Sequence, residues 1–152
     1  MSECLKLVAY TDGSCDNKSK LRLGGAAYIV MNREGKREVL YQNSKGFAYT
    51  SSNRMEMLAI ISAVAACPPG SDIEVFSDSR YAVCTLSGIY MLRENEDLVE
   101  KYKQVAKKHS DVRLRWIKGH SGHPLNEHVD AMAYEAYRAM CERMGDVAKA
   151  HK

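Results

Sequence analysis

The spacing of apolar residues changes along the chain, and these changes limit the folds that it can adopt. Residues 5–11 alternate and predict a strand, and residues 24–31 and 37–44 predict two more on either side of a turn. Residues 32–36 are turn formers and predict a hairpin between the second and third strands. The period then becomes helical from Met55 to Ala66, and Pro68-Pro69-Gly70 ends that predicted helix.

The rest of the chain alternates strands with helices. The predicted elements are a strand over 72–77, helices over 79–86 and 97–108, a strand over 112–116 and a last amphipathic helix that Asn126 caps. Residues 145–152 have no pattern and are expected to fray. A strand meander followed by strand–helix–strand units predicts an α/β fold with a mixed sheet and helices on its faces, as one domain over residues 1–152.

Composition excludes several classes of protein. The chain has 152 residues and a formal net charge of +3, which is too small to indicate a nucleic-acid partner by itself. Its 5 cysteines are scattered and form no CxxC pair, which favours reduced thiols over disulfides or a zinc site. No leader peptide and no membrane-spanning apolar run is evident. We therefore expect a soluble cytoplasmic protein.

Two predicted strands end in an aspartate. Asp12 follows the first strand and Asp78 follows the fourth. Asp12 could be an ordinary turn residue, since Gly13 follows it and Asp-Gly is a common turn pair. If the two strands are parallel neighbours, however, both aspartates lie at the carboxyl edge of the sheet, where open α/β sheets build their sites.

Two further acids could join this edge. Glu56 lies at the start of the first helix, where a capping box with Asn53 is a strong alternative, and Asp130 could simply complement the dipole of the last helix. Converging carboxylates without a cationic partner repel one another, so a fold that keeps them is expected to neutralise them with hard cations such as Mg²⁺ or Mn²⁺. Two such ions about 4 Å apart can clamp the attacking and leaving oxygens of a phosphodiester.

Four motifs in order resemble type 1 ribonuclease H over residues 5–143. They are YTDGSC, SSNRMEMLAI, VFSDSRYAV and WIKGHSGHPLNEHVDAMA, which start at residues 10, 51, 75 and 116. The resemblance implies a ribonuclease H-like fold with a five-stranded mixed sheet flanked by helices. It also implies metal-dependent endonucleolytic cleavage of the RNA strand in RNA–DNA hybrids, leaving 3'-hydroxyl and 5'-phosphate ends.

The resemblance also assigns roles to individual residues. Asp12, Glu56, Asp78 and Asp130 match the family's metal-binding acids, which hold two Mg²⁺ ions with Mn²⁺ as a substitute. Asp12 would bridge both ions, Glu56 and Asp78 would complete the ion on the leaving-oxygen side, and Asp130 would complete the other. His120 matches a loop histidine that assists proton transfer or product departure.

Residues that match the family's contacts with the hybrid surround these acids. They are Gly13, Ser14, Cys15, Ser51, Ser52, Asn53, Arg54, Arg80 and Asn126. Backbone groups of residues 13–15, with Ser52, Asn53 and Arg80, would read 2'-hydroxyls across the minor groove of the hybrid. Ser51 and Arg54 would hold a phosphate of the DNA strand, and Asn126 would orient the loop and the nucleic acid. Two positions depart from the family pattern, because asparagine is common where Ser52 stands and glutamine where Arg80 stands. Arg54 could equally be a solvated cation at the start of a helix.

A basic, tryptophan-containing protrusion that many bacterial members carry is absent from residues 87–94, which contain one arginine. We therefore expect weak binding of hybrids with a shallow dependence on salt, unless another basic surface or an attached partner compensates. We also expect a monomer. Two alternatives share the fold, namely a binding module that does not cut and a resolvase or transposase core. The retained acids argue against the first and the KGHSGHPLNEHVD loop against the second. A zinc site at His120, His123 and His128 is disfavoured because no cysteine lies nearby.

Overall fold

The computed structural model describes residues 4–18, 20–90, 94–119 and 122–150, with side chains as far as residue 144. Its elements in chain order are β1 (Lys6–Cys15), β2 (Gly24–Asn32), β3 (Val39–Phe47), α1 (Ser52–Ala66), β4 (Asp72–Ser77), α2 (Arg80–Leu86), α3 (Glu96–Ala106), β5 (Asp111–Trp116) and α4 (Pro124–Ala150). No helix in these ranges is both long and apolar enough to cross a membrane.

The strands form one mixed sheet in the order β3-β2-β1-β4-β5. The pairs β3–β2 and β2–β1 are antiparallel, whereas β1–β4 and β4–β5 are parallel. The predicted five-stranded mixed sheet is therefore confirmed. The third strand begins at Val39 and extends to Phe47, so it lies slightly later than predicted, and it forms one edge of the sheet.

Alternate residues of β1 supply two separate cores. Leu7 and Ala9 pack with buried residues of α1, α2 and α3 on one face of the sheet. Val8 and Tyr10 pack with α4 on the opposite face. This alternation is what a central strand covered on both faces requires, because successive side chains point to opposite sides.

The last helix begins earlier than the sequence predicts. Asn126 was expected to be its N-cap, but α4 starts at Pro124 and Asn126 is a buried residue inside the helix. Proline is well suited to the first helical turn because it has no N–H to leave unpaired there. The cap prediction is therefore wrong, although the helix itself is confirmed.

Close packing of α4 against the sheet depends on a residue without a side chain. A Cβ at Gly25 of β2 would lie 2.7 Å from the backbone nitrogen of Tyr137, which is far inside van der Waals contact. The glycine therefore allows α4 to cross β2 closely enough to bury Val129 and Ala133.

A cluster of ion pairs joins three elements at the end of the sheet where β4 begins. Asp72 Oδ1 of β4 accepts hydrogen bonds from Arg33 Nη1, 3.1 Å away, and from Arg113 Nη1 of β5, 2.9 Å away. The hydrogen bond from Arg33, together with that from Arg113, lowers the pKa of Asp72. The cluster thus ties the β2–β3 turn to the parallel half of the sheet.

We expect Asp72→Asn to lower the free energy of unfolding by about 1 kcal/mol at neutral pH, because the two arginines then donate to a neutral amide oxygen instead of an ionised carboxylate. A lowered folded-state pKa stabilises the protein above the unfolded value of about 3.9, and this stabilisation disappears as the pH falls through the folded-state pKa. In urea unfolding, the difference between the two proteins should therefore shrink as the pH is lowered from neutral to acidic.

Glu34→Gln is the matched control, since Glu34 pairs with Lys6 at an exposed position. It should change stability by less than about 0.5 kcal/mol. Equal losses in the two variants, or a difference that persists in acid, would contradict the role given to Asp72.

Candidate active site

The parallel pairing of β1 with β4 brings two acids together. Thr11 is opposite Ser77 in this register. The next residues, Asp12 and Asp78, therefore lie at the same edge of the sheet. Asp12 is still within β1 and is buried, whereas Asp78 lies just beyond β4 and is half-buried. The predicted meeting of these two carboxylates is confirmed. The predicted end of the first strand at residue 11 is wrong, because β1 continues past Asp12 to Cys15 through its antiparallel pairing with β2.

Glu56 reaches this edge from α1. Its Oε1 accepts a hydrogen bond from the backbone nitrogen of Gly13 at 2.7 Å, and its Oε2 accepts one from Ser77 Oγ at 3.4 Å. The capping-box alternative for Glu56 is wrong, because Ser51 caps α1 by accepting from the nitrogen of Arg54. A tertiary contact with β1 therefore holds the carboxylate instead of a local contact within the helix.

Gly13 makes that contact possible. A Cβ at this position would lie 2.5 Å from the backbone nitrogen of Glu56 and 2.5 Å from the backbone carbonyl carbon of Met55. Any side chain would therefore push α1 away from β1. The glycine is needed for the close approach between β1 and α1. This approach also brings its N–H within hydrogen-bonding distance of the Glu56 carboxylate.

Asp12, Glu56 and Asp78 form a compact group of carboxylates. One oxygen from each lies within 4.8 Å of the others. Asp12 Oδ1 accepts from the nitrogen of Gly13, but Asp12 Oδ2 is buried and has no hydrogen-bond partner among the described residues. A buried carboxylate oxygen without a donor, in a group of hard oxygen ligands, fits a divalent cation such as Mg²⁺ or Mn²⁺.

The fourth acid stands close to this group without belonging to it. Asp130 lies on α4 directly after the fully buried Val129, which packs in the core on that face of the sheet. Its carboxyl interacts with that of Asp12 and contributes to raising the pKa of Asp12. Asp130 is therefore placed where it could complete a second cation site around Asp12.

Burial and mutual repulsion dominate the electrostatics of the group. Burial raises the pKa of Asp12 far above its ordinary value, and the neighbouring carboxyls of Glu56, Asp130 and Asp78 raise it further. Burial also raises the pKa of Glu56, although the adjacent Asp12 carboxyl and the hydrogen bond from the Gly13 amide oppose this. Without a cation, the protein therefore favours protonation of Asp12.

The residues predicted to contact the hybrid lie on several elements around the carboxylate group. Gly13, Ser14 and Cys15 form the half-buried end of β1, while Ser51, Ser52 and Asn53 form the start of α1. Asn126 is buried in α4, one helical turn before Asp130. His120 lies outside the described residues.

Arg54 has an acidic partner within the protein. Its Nη2 lies 2.8 Å from Asp97 Oδ2, and its Nη1 donates to Asn95 Oδ1 at 3.0 Å. These contacts tie the start of α1 to the start of α3. The alternative of a solvated cation is wrong for this residue, because its guanidinium is engaged by α3.

Two residues near the site were not singled out from the sequence. Asn17 exchanges two hydrogen bonds with Ser52, one from Asn17 Nδ2 to the Ser52 hydroxyl at 2.8 Å and one from the Ser52 nitrogen to Asn17 Oδ1 at 3.1 Å. Trp116 donates from its indole Nε1 to the carbonyl oxygen of Asp78 at 3.1 Å. In the sequence, only the position of Trp116 at the end of a predicted strand, beside the loop motif, could have indicated that it lies near the site.

Comparison with known proteins agrees with this architecture. A family model described as RNase H matches residues 5–138. A curated ribonuclease H of Campylobacter jejuni (strain 81-176) is 36% identical over 138 residues, which cover 84% of this chain and 88% of the relative. A ribonuclease H of Nitratidesulfovibrio vulgaris (strain DP4) is 33% identical over 153 residues, and the match covers 91% of each protein.

Solved structures with low sequence identity share the fold. The N-terminal RNase H domain of a Mycobacterium tuberculosis protein has a TM-score of 0.79 and 18% identity, with 91% of this chain and 98% of that one covered. RNase H1 from the archaeon Halobacterium salinarum has a TM-score of 0.72 and 20% identity, with coverages of 86% and 96%. Given the family match over most of its length and the relatives above 30% identity, the chain belongs to the ribonuclease H family.

Proposed function

We propose that this protein is an endoribonuclease that hydrolyses the RNA strand of RNA–DNA hybrids by a two-metal-ion mechanism, leaving 3'-hydroxyl and 5'-phosphate ends. Membership of the ribonuclease H family supports the substrate class. The observation that carries the proposal is the group of three carboxylates with an unpartnered buried oxygen on Asp12.

Two Mg²⁺ ions, or Mn²⁺ ions in their place, are the proposed cofactors. Asp12 would contact both, Glu56 and Asp78 would complete the ion on the side of the leaving oxygen, and Asp130 would complete the ion on the side of the attacking water. When bound, such a pair stabilises the charge that develops on the attacking and leaving oxygens of a phosphodiester. Oxygen-only ligation favours these metals over zinc.

Groups of the chain itself would orient the metal-binding carboxylates and distinguish RNA from DNA. The Gly13 amide and the Ser77 hydroxyl fix the Glu56 carboxylate, so that it is already oriented before substrate binds. Backbone groups of residues 13–15, with Ser52 and Asn53, are proposed to contact the minor groove of the hybrid. Groups that hydrogen-bond to 2'-hydroxyls distinguish RNA from DNA at the strand to be cut. Asn17 would hold the Ser52 hydroxyl in place for this contact.

The protein is further proposed to act as a monomer in the cytoplasm. The absence of disulfides among the described cysteines suits a reducing compartment.

The decisive experiment compares substrates and metals in one assay. Labelled RNA–DNA hybrid, duplex RNA and duplex DNA are each incubated with the protein, with MgCl₂ or with EDTA. We expect cleavage of the RNA strand of the hybrid alone, and only with the metal. Analysis of the ends should give 3'-hydroxyl and 5'-phosphate. Binding of the hybrid without cleavage at any metal concentration would instead indicate a binding module.

Asp12→Asn should abolish cleavage and leave the metal-free fold at least as stable as the wild type. Ionised Asp12 opposes folding above its unfolded pKa of about 3.9, because burial and the neighbouring carboxyls raise its folded-state pKa. Asparagine removes this cost and keeps an oxygen for the Gly13 amide. In EDTA at neutral pH, we expect the variant to gain up to about 2 kcal/mol in urea unfolding.

Added MgCl₂ should raise the thermal midpoint of the wild type more than that of Asp12→Asn, since only the folded wild type retains the complete site. Glu135→Gln is the charge-matched control at an exposed position of α4 and should leave cleavage unchanged. Retained cleavage in Asp12→Asn would remove Asp12 from the catalytic residues. A large loss of metal-free stability would instead assign it a structural role.

His120→Ala tests the proposed loop histidine. A group that assists proton transfer contributes about 10²–10⁴-fold to the rate, so kcat should fall by one to a few powers of ten. The KM for the hybrid should stay nearly constant. A large rise in KM with unchanged kcat would make His120 a substrate contact.

A further inference from the structure

Arg80 and Trp116 form a stacked pair beside the carboxylate group. The Arg80 Cζ atom lies 4.4 Å from the centroid of the Trp116 ring. Arg80 is the first residue of α2 and follows Asp78 by two positions, while Trp116 ends β5 directly opposite Ser77. A cation is therefore held at the rim of the candidate active site by an aromatic face.

The tryptophan is itself fixed to the site. Its indole Nε1 donates to the carbonyl oxygen of Asp78 at 3.1 Å, yet 42% of its surface remains exposed. Tryptophan gives the strongest cation–π contact of the aromatic residues. The ring thus links the position of the Arg80 guanidinium to the backbone of a proposed metal ligand.

No carboxylate neutralises this cation among the described residues. Arg80 forms no ion pair in the described part of the chain, although Asp78 is only two residues away. Four other arginines do pair with an acid, namely Arg33, Arg54, Arg113 and Arg115. Stacking occupies the face of a guanidinium and leaves the N–H donors at its edge, which suit the oxygens of a phosphate. Arg80 is exposed, so solvent and solutes can reach it.

We propose that Arg80, held in place by Trp116, binds a backbone phosphate of the RNA strand next to the phosphate that is cut. This inference rests on the proposed function and adds a charged contact to it. An RNA strand whose scissile phosphate lies at Asp12 and Asp78 passes the start of α2, so a neighbouring phosphate comes within reach of Arg80. This contact partly compensates for the short segment 87–94, which contains a single arginine.

Binding is measured by fluorescence anisotropy of a labelled RNA–DNA hybrid in MgCl₂ at a series of salt concentrations. Every protein carries Asp12→Asn, which prevents cleavage. Each neutralised phosphate adds about 0.7–0.9 to the slope of log K against log salt. Arg80→Gln should therefore reduce the slope by about this amount and weaken binding about fivefold at low salt, uniformly across hybrid sequences.

Three further variants separate charge from stacking. Arg80→Lys keeps the charge but loses the planar stack, so it should retain the slope with reduced affinity. Trp116→Ala should weaken binding in part, and adding it to Arg80→Gln should cause no further loss, because the two residues act as one unit. Arg37→Gln is the matched control, since Arg37 is exposed and lies near the turn at the opposite end of β2 from the site.

An unchanged slope in Arg80→Gln, or an equal change in Arg37→Gln, would overturn the assignment of Arg80. If the losses of binding affinity from Arg80→Gln and Trp116→Ala add up in the double variant, the role of Trp116 is overturned. Cleavage by the protein without Asp12→Asn is assayed in parallel. If that protein cuts hybrids while the Arg80 slope is unchanged, only this inference fails; if it neither binds nor cuts them, the proposed function fails.

Discussion

The repulsion among the buried carboxylates is the constraint on which the arrangement of the molecule depends. Asp12 and Glu56 are both buried, which raises the pKa of each, and the carboxyls of Glu56, Asp130 and Asp78 raise that of Asp12 further. Only a few donors offset this cost, chiefly the Gly13 amide, which contacts both side chains. The rest of the fold must therefore be stable enough to hold together a site that opposes folding until cations bind. This is the usual relation between stability and function at a preorganised site.

The sheet meets this requirement by using both of its faces. One face carries α1 and delivers Glu56, while the other carries α4 and brings Asp130 towards Asp12. Because β1 is central and covered on both sides, acids from opposite faces can meet at its end. The ion pairs of Asp72 lie at the other end of β4, away from the acids. Stabilising charge pairs and destabilising like charges are thus separated by the length of a strand.

The sequence was sufficient to predict features that depend on local pattern. Strand period, the two aspartates Asp12 and Asp78, and the order of elements led to the correct mixed sheet and to the carboxylate group. Local rules failed where a distant partner decided the outcome. Glu56 fits a capping box by spacing, but the Gly13 amide, 43 positions away, binds it instead. The stack of Arg80 on Trp116 joins residues from α2 and β5, so no periodicity within either segment could reveal it.

The edge position of β3 has a consequence for the behaviour of the protein in concentrated solution. This strand pairs with β2 on one side only, is nine residues long, and exposes Val39, Leu40 and Tyr41. Lys45 is its single charged residue. Long edge strands with few charges offer unpaired N–H and C=O groups to other chains, and charge or proline normally prevents such pairing. Self-association at high concentration should therefore begin at β3, at the border of the sheet formed by the antiparallel strands, and a second lysine there is the simplest way to improve colloidal stability.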